Sequence, residues 1–371
     1  MSVFSTKRFD KVLLGLIIVL FAVGLLLIYS ASRSTALGSK RLIIQTTAFG
    51  LSLLFMYFST AIDYSVLKRY DWHLYILSIL LLLLVYVPGL GSDQMGARSW
   101  IDLKVMYFQT SEAAKVTFTL AYASFLDRRK DKLNTLEEII PAFLYPLPIL
   151  FLLYKQPDLG GILVFASIIL FCLFMAGLNK KWIIGGVMAV ALIAPIVYKF
   201  ELLEPHQMLR IEAFLNPGDP SYTGNYQLIA SMTAIGSGKI FGKGLFNGTL
   251  IPFGFLPVPE SDFIFSILGE EFGMVGMGAV IILFYILLSR IYNIAINSKD
   301  TYGNLIVMGF LGMFLYQIFQ NIGMTVGLIP ITGVTLPFLS YGGSSILMSM
   351  VVISIIMNVY SKSHSGFSYQ K

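Results

Sequence analysis

The chain carries little charge, one cysteine and three histidines. Only 12% of its 371 residues are Asp, Glu, Lys or Arg, about half the share of a soluble domain, so most of its length is not built for water. Cys172 lies inside an apolar run, which excludes an intrachain disulfide and a cysteine-based metal site. His73, His206 and His364 are scattered, so neither a histidine metal cluster nor a Ser-His triad is available. A P-loop is missing as well. In the glycine-punctuated stretch from Gly236 to Gly248, Lys243 is followed by Gly244 rather than Ser or Thr, which argues against nucleotide chemistry.

What the chain has in quantity is apolar sequence: 56% hydrophobic residues and a mean hydropathy of +0.78. The net charge of +6 sits in short clusters beside apolar runs, the pattern of cytoplasmic loops and not of a nucleic-acid surface. Crossing the hydrocarbon takes roughly 17–25 residues, and ten runs qualify, near 12–32, 42–62, 73–90, 107–126, 139–154, 159–178, 182–200, 263–289, 303–327 and 344–361. Lys7, Arg8 and Lys11 precede a run too long for a signal-peptide core, so the first is read as a retained span. The expectation is an all-α polytopic membrane protein, one integral domain over 1–371. A large extracytoplasmic loop, 201–262, separates the seventh and eighth spans.

With the N-terminus inside, the cytoplasmic connections receive Lys68 and Arg69, then Arg128, Arg129, Lys130 and Lys132, then Lys180 and Lys181, then Arg290 and Lys299, as the positive-inside rule expects. Both termini are then cytoplasmic. Segments 33–41, 91–106, 155–158, 201–262 and 328–343 fall on the outer side. Residues 328–343, LIPITGVTLPFLSYGG, are too apolar for a free loop and should fold back against the bundle. The 201–262 segment should hold short interfacial helices.

The stretch from Gly236 to Gly273 ends its irregular part at Asp262, the last polar group before a long apolar run. Ser261 and Asp262 could serve as a helix cap; a carboxylate at the outer rim could also do acid–base work. Glu112 and Lys115, three apart, share a helix face and can pair, and an idle lysine inside a span is costly. Their plainer use is a structural ion pair. Arg98 and Trp100 suit an interfacial anchor, Asp158 in Gln156-Pro157-Asp158-Leu159-Gly160 a cap between two spans, and Arg210 a grip on an anion or a surface ion pair. Glu270 and Glu271 read as acceptors within the bundle. Ser340, Tyr341, Gly342 and Gly343 open the last span with hydroxyls and unencumbered amides that could hold an oxyanion. A metal ligand set is not apparent.

Several ordered stretches carry a family resemblance: GARSWI with SEAAK, QPDLG, RIEAFLNP, AIGSGKIFGKGLFNGT, FLPVPESDFIFSILGEEFG and NIGMTVGLIPITGVTLPFLSYGGSS. Spread over residues 96–345, they resemble the SEDS family, and within it the elongation-type, rod-shape branch more than the division-type branch. The resemblance implies a ten-span polymerase of the bacterial cytoplasmic membrane. It would join lipid II disaccharides onto a nascent glycan strand at the outer face, beside a class B penicillin-binding protein. It places the family's essential aspartate on Asp262, its membrane Lys and Glu on Lys115 and Glu112, and its Trp and Arg on Trp100 and Arg98. On that chemistry Asp262 takes a proton from the acceptor hydroxyl, Lys115 tunes it, and Arg98 and Arg210 hold the diphosphate. A Mg²⁺ or Mn²⁺ ion could share that last task. The competing readings are a lipid II flippase or transporter, and a scaffold that activates the penicillin-binding partner.

Overall fold

The computed structural model describes residues 9–33, 38–59, 62–94, 97–104, 106–130, 132–200, 203–216, 219, 223–249, 256 and 258–365. Lys7, Arg8, Pro217, Pro252 and Pro257 lie outside them, as does the side chain of Arg98. The chain is helical with one small sheet. Among the described residues eight helical segments are long and apolar enough to span a membrane: α1 (Lys11–Ser32), α2 (Gly38–Ser59), 64–86 with α3 (Asp71–Leu83), 137–155 with α5 (Leu136–Leu144) and α6 (Leu147–Lys155), α8 (Lys180–Lys199), α11 (Ile264–Ile296), α12 (Thr301–Thr325) and α13 (Gly343–Ser365). Two further helices, α4 (Thr110–Asp127) and α7 (Leu159–Met175), fill the places expected for the fourth and sixth runs. α7 is apolar but shorter, and α4 carries Glu112 and Lys115.

Burial explains how α4 tolerates those charges. Its residues are covered on nearly every side by α3, α12, α7 and α13, so its polar groups meet protein and not hydrocarbon. α12 is the other interior helix, packed against α7, α11 and α4. A Cβ at Gly309 would come within 2.7 Å of Thr119 Cγ2 and 2.8 Å of Cys172 Sγ, so a glycine lets these three helices meet. Cys172 is fully buried at that crossing, a small apolar filler.

The fifth expected run is broken in two at Tyr145–Pro146. Pro146 has no N–H to give to the Ala142 carbonyl, and Tyr122 Oη donates to that carbonyl instead, at 3.0 Å. The fourth expected run begins too early. Residues 107–109 form a strand, and α4 starts at Thr110. The sheet has β1 (Gly91–Gln94), β2 (Ala97–Asp102) and β3 (Tyr107–Gln109) in antiparallel order β1-β2-β3, with Trp100 opposite Gln109. Strand pairing, not a helical period, governs these residues.

Within 201–262 lie α9 (Pro205–Leu215) and α10 (Thr223–Ser237). α9 opens on a capping box made by Glu204 and Gln207. Residues 328–343 do fold back onto the bundle. Leu336, Phe338 and Leu339 are buried, and a Cβ at Gly24 of α1 would sit 2.6 Å from the Leu339 carbonyl oxygen. The rim that holds the basic connections is laced by ion pairs: Asp10 with Arg290 at 2.5 Å, Asp71 with Arg128 at 2.5 Å, Arg129 with Glu138 at 2.8 Å, and Lys68 with Asp127.

Candidate active site

At the other rim a cavity of about 960 Å³ opens between the sheet, the α6–α7 turn, α9, the start of α11 and residues 329–345. Lys115, Glu112, Trp100, Arg210, Asp262, Tyr341, Gly342 and Gly343 all line it. Segments separated by more than two hundred residues of chain are thus brought to one chamber. Lys115 Nζ donates to Glu112 Oε1 at 2.7 Å, and both are buried.

Asp262 stands in the turn before α11, its carboxylate accepting from the Ser261 hydroxyl. Burial pushes its pKa above the ordinary carboxylate value, while Ser261 and the Arg210 guanidinium pull it down and Glu260 adds to the rise. Arg210 in turn is lowered by burial and held up by Asp262. Asp262 and Arg210 are therefore an electrostatic couple in the chamber wall, contributed by α9 and the turn before α11.

Its backbone is fixed by the folded-back loop. Asn321 of α12 donates to the carbonyls of Asp262 at 3.0 Å and Val334 at 2.8 Å. Ser340 Oγ donates to the Ser261 carbonyl at 2.6 Å and accepts from Leu336 N at 2.9 Å. A Cβ at Gly333 would lie 3.3 Å from Asp262 Oδ2, and Gly333 has φ +73°, so a side chain there would be strained and would crowd the carboxylate.

Three expectations change. Ser340 does not line the chamber; its hydroxyl is spent on stapling loop to turn. The amides of Ser340, Tyr341 and Gly342 are not unencumbered, because they donate to the Leu336 carbonyl, the Glu260 carbonyl and Gln45 Oε1. The loop's own closure uses these three donors, while Gly343 lines the chamber at the start of α13. Third, Asp158 is more than a cap. It accepts from Gly161 N at 2.7 Å, but its other oxygen accepts from Ser111 at 3.2 Å and it faces the chamber. Burial raises its pKa, with Gly161, Lys115 and Ser111 opposing and Glu112 reinforcing.

The sequence also concealed Arg41, which pairs with Glu260 at 2.8 Å, and Gln45, whose amide holds Ser340 O and Gly342 N. A glutamine inside an apolar run was the available signal for the second. Lys40 and Lys104 add cationic lining. Among the described residues no three His, Cys, Asp or Glu side chains gather to hold a metal. Glu112 and Glu260 are paired with cations, and Asp158 is capped by donors. The donors present do not make a metal cage.

Fold and chamber together define an integral membrane protein with a cleft lined by carboxylates and cations at one rim of its bundle. The family model FTSW_RODA_SPOVE, described as cell cycle protein, matches residues 10–365. The chain is 35% identical over 367 residues to the probable peptidoglycan glycosyltransferase FtsW of Trichlorobacter lovleyi, covering 96% of this chain and 94% of that one. It is 33% identical over 367 residues to stage V sporulation protein E of Bacillus subtilis (96% and 98%). To the peptidoglycan glycosyltransferase MrdB of Escherichia coli it is 34% identical over 352 residues (95% and 93%). A chain solved in a peptidoglycan synthase complex that coordinates polymerization and crosslinking superposes with a TM-score of 0.81 at 30% identity, covering 98% of this chain and 99% of that one. The rod shape determining protein RodA of Thermus thermophilus gives 0.71 at 28% identity (98% and 98%). The chain belongs to the FtsW/RodA/SpoVE family, the SEDS peptidoglycan glycosyltransferases.

Proposed function

We propose that the protein polymerises lipid II disaccharides into glycan strands at the outer face of the bacterial cytoplasmic membrane, with Asp262 as general base. The observation that supports this most is that Asp262 and Arg210 line the same chamber at the rim of the bundle, where the guanidinium attracts the carboxylate electrostatically. Glycosyl transfer breaks the bond between the anomeric carbon and diphosphate and forms one to the acceptor's 4-hydroxyl oxygen. The hydroxyl proton goes to the base and the electron pair leaves with the diphosphate. The carboxylate must therefore be ionised yet willing to accept a proton, and burial against Arg210 supplies that balance.

Arg210, with Arg98 at the sheet, is assigned the departing diphosphate. The Lys115–Glu112 pair keeps a cation at the chamber floor, and Trp100 lies on the strand that walls it. If Mg²⁺ or Mn²⁺ takes part, substrate oxygens must supply most of its ligands. We assign the chain to the elongation-type, RodA-like branch, on the stretch NIGMTVGLIPITG, with a class B penicillin-binding protein as partner. The termini and the basic connections are placed on the cytoplasmic side, by their lysines and arginines.

The test is glycan formation from labelled lipid II by the purified full chain, alone and with the partner, beside a lipid II flipping assay in vesicles. Strands lengthening with time support the reading. Flipping without strands would replace it with transport, and neither activity would leave a scaffold.

A further inference from the structure

Helix α11 is interrupted, and the interruption is filled from outside. Gly273 has φ 64° and ψ −162°, which no helical residue adopts. In an unbroken helix Met274 N would donate to the Glu270 carbonyl and Val275 N to the Glu271 carbonyl. Here Met274 N donates to Lys239 O at 2.9 Å and Val275 N to Ile240 O at 3.1 Å. The two carbonyls so released accept from Lys243 N and Gly244 N, each at 3.0 Å. Residues 239–244 thus satisfy all four groups that the break orphans, as a buried backbone must.

The fit is tight on both sides. A Cβ at Gly238 would lie 1.9 Å from the Gly269 carbonyl oxygen, one at Gly242 2.1 Å from that of Glu271, and one at Gly273 2.4 Å from Gly242 N. Gly242 also has φ +81°, so only glycine enters without strain. A side-chain lock closes over the insert. Lys243 Nζ meets Glu270 Oε1 at 2.6 Å and Thr249 Oγ1 at 2.7 Å, and Thr249 N donates to the same Glu270 oxygen at 2.8 Å. Glu271 is tied to α1 through Ser30.

The part of α11 before the break, Ile264 to Phe272, is a stub whose first turn follows Asp262. With the helical ladder cut at Gly273, the backbone bonds that bridge stub and remaining helix at the break run through the insert. None of residues 238–244 lines the chamber. We propose that this glycine insert is a splint that sets the direction of the stub and hence the position of Asp262 opposite Arg210. Lys243, Gly242 and Gly238 are positioning residues for the base. The proposal rests on the assignment of Asp262 as that base.

The test compares wild type, Lys243→Met, Lys243→Arg and Gly242→Ala as full chains in detergent, by lipid II kinetics and amide hydrogen exchange. Lys243→Met is expected to lower kcat by about 10–100-fold, the cost of small misplacement, with KM nearly unchanged. Amides of 239–244 and 264–275 should exchange faster together, and Lys243→Arg should restore both. Gly242→Ala should behave as Lys243→Met; if it does not fold, Lys243→Met alone decides. Faster exchange in these amides with wild-type kcat overturns the proposal, and so does opening of the insert without the stub, or a change confined to KM. A wild type that makes no glycan would instead remove the base assignment, while the exchange data would still show whether insert and stub move as one.

Discussion

As the proposed base, Asp262 must meet two opposing demands, ionisation and basicity, through groups that can be removed singly. Arg210 pulls its pKa down against burial. Arg210→Gln should therefore raise the pKa further, and activity that needs the ionised carboxylate should fall off at a higher pH on the acidic limb than in wild type. A pH–rate profile of both proteins checks this; coincident acidic limbs would show that Arg210 does not govern the base. Lys115 and Glu112 make a different case, since both are buried and paired. Removing one partner leaves an uncompensated charge, typically at about 3–5 kcal/mol. Lys115→Met should lower the melting temperature in detergent, and adding Glu112→Gln should recover part of the loss.

At the scale of elements, the site depends on a loop held by helices. Residues 328–343 are pinned to the turn at Asp262 by Asn321 and Ser340 and to α2 by Gln45, and they pack on α1 at Gly24. Gly24→Val should push Leu339 away and destabilise the fold by about 1–3 kcal/mol, the usual cost of overpacking. Denaturation of the variant measures it, and a loss of turnover should accompany it. Elements of this kind were partly legible in the sequence. The apolar loop had to fold back because lipid cannot satisfy its backbone, and Asp262 had to end an irregular segment because Pro and Gly precede it. The small sheet was not legible, because its first two short strands read as part of the outer connection 91–106 and the third, 107–109, as the start of the apolar run that follows. The splint was hidden too: its bonds are made by backbone groups, and glycines disclose only that something comes close.

At the scale of the whole molecule, charge placement gave the expected sidedness and the structure gave the bundle that must obey it. Side-chain pairing across the chain, such as Arg41 with Glu260, lay beyond any sequence pattern because its partners are set by tertiary folding. Cys172 is buried, so single cysteines can report topology over a silent background. In intact cells an impermeant thiol reagent should label Lys104→Cys and Asn247→Cys and leave Asn134→Cys unlabelled. Labelling of Asn134→Cys alone would invert the chain. The flippase reading predicts the same topology, so sidedness does not separate it from the polymerase.

The base does. General-base assistance is worth about 10²–10⁴-fold, so Asp262→Asn, which keeps the shape of the side chain, should lose strand formation from lipid II by that factor while its melting temperature and insertion match wild type. Strand formation by Asp262→Asn at the wild-type rate would contradict the account.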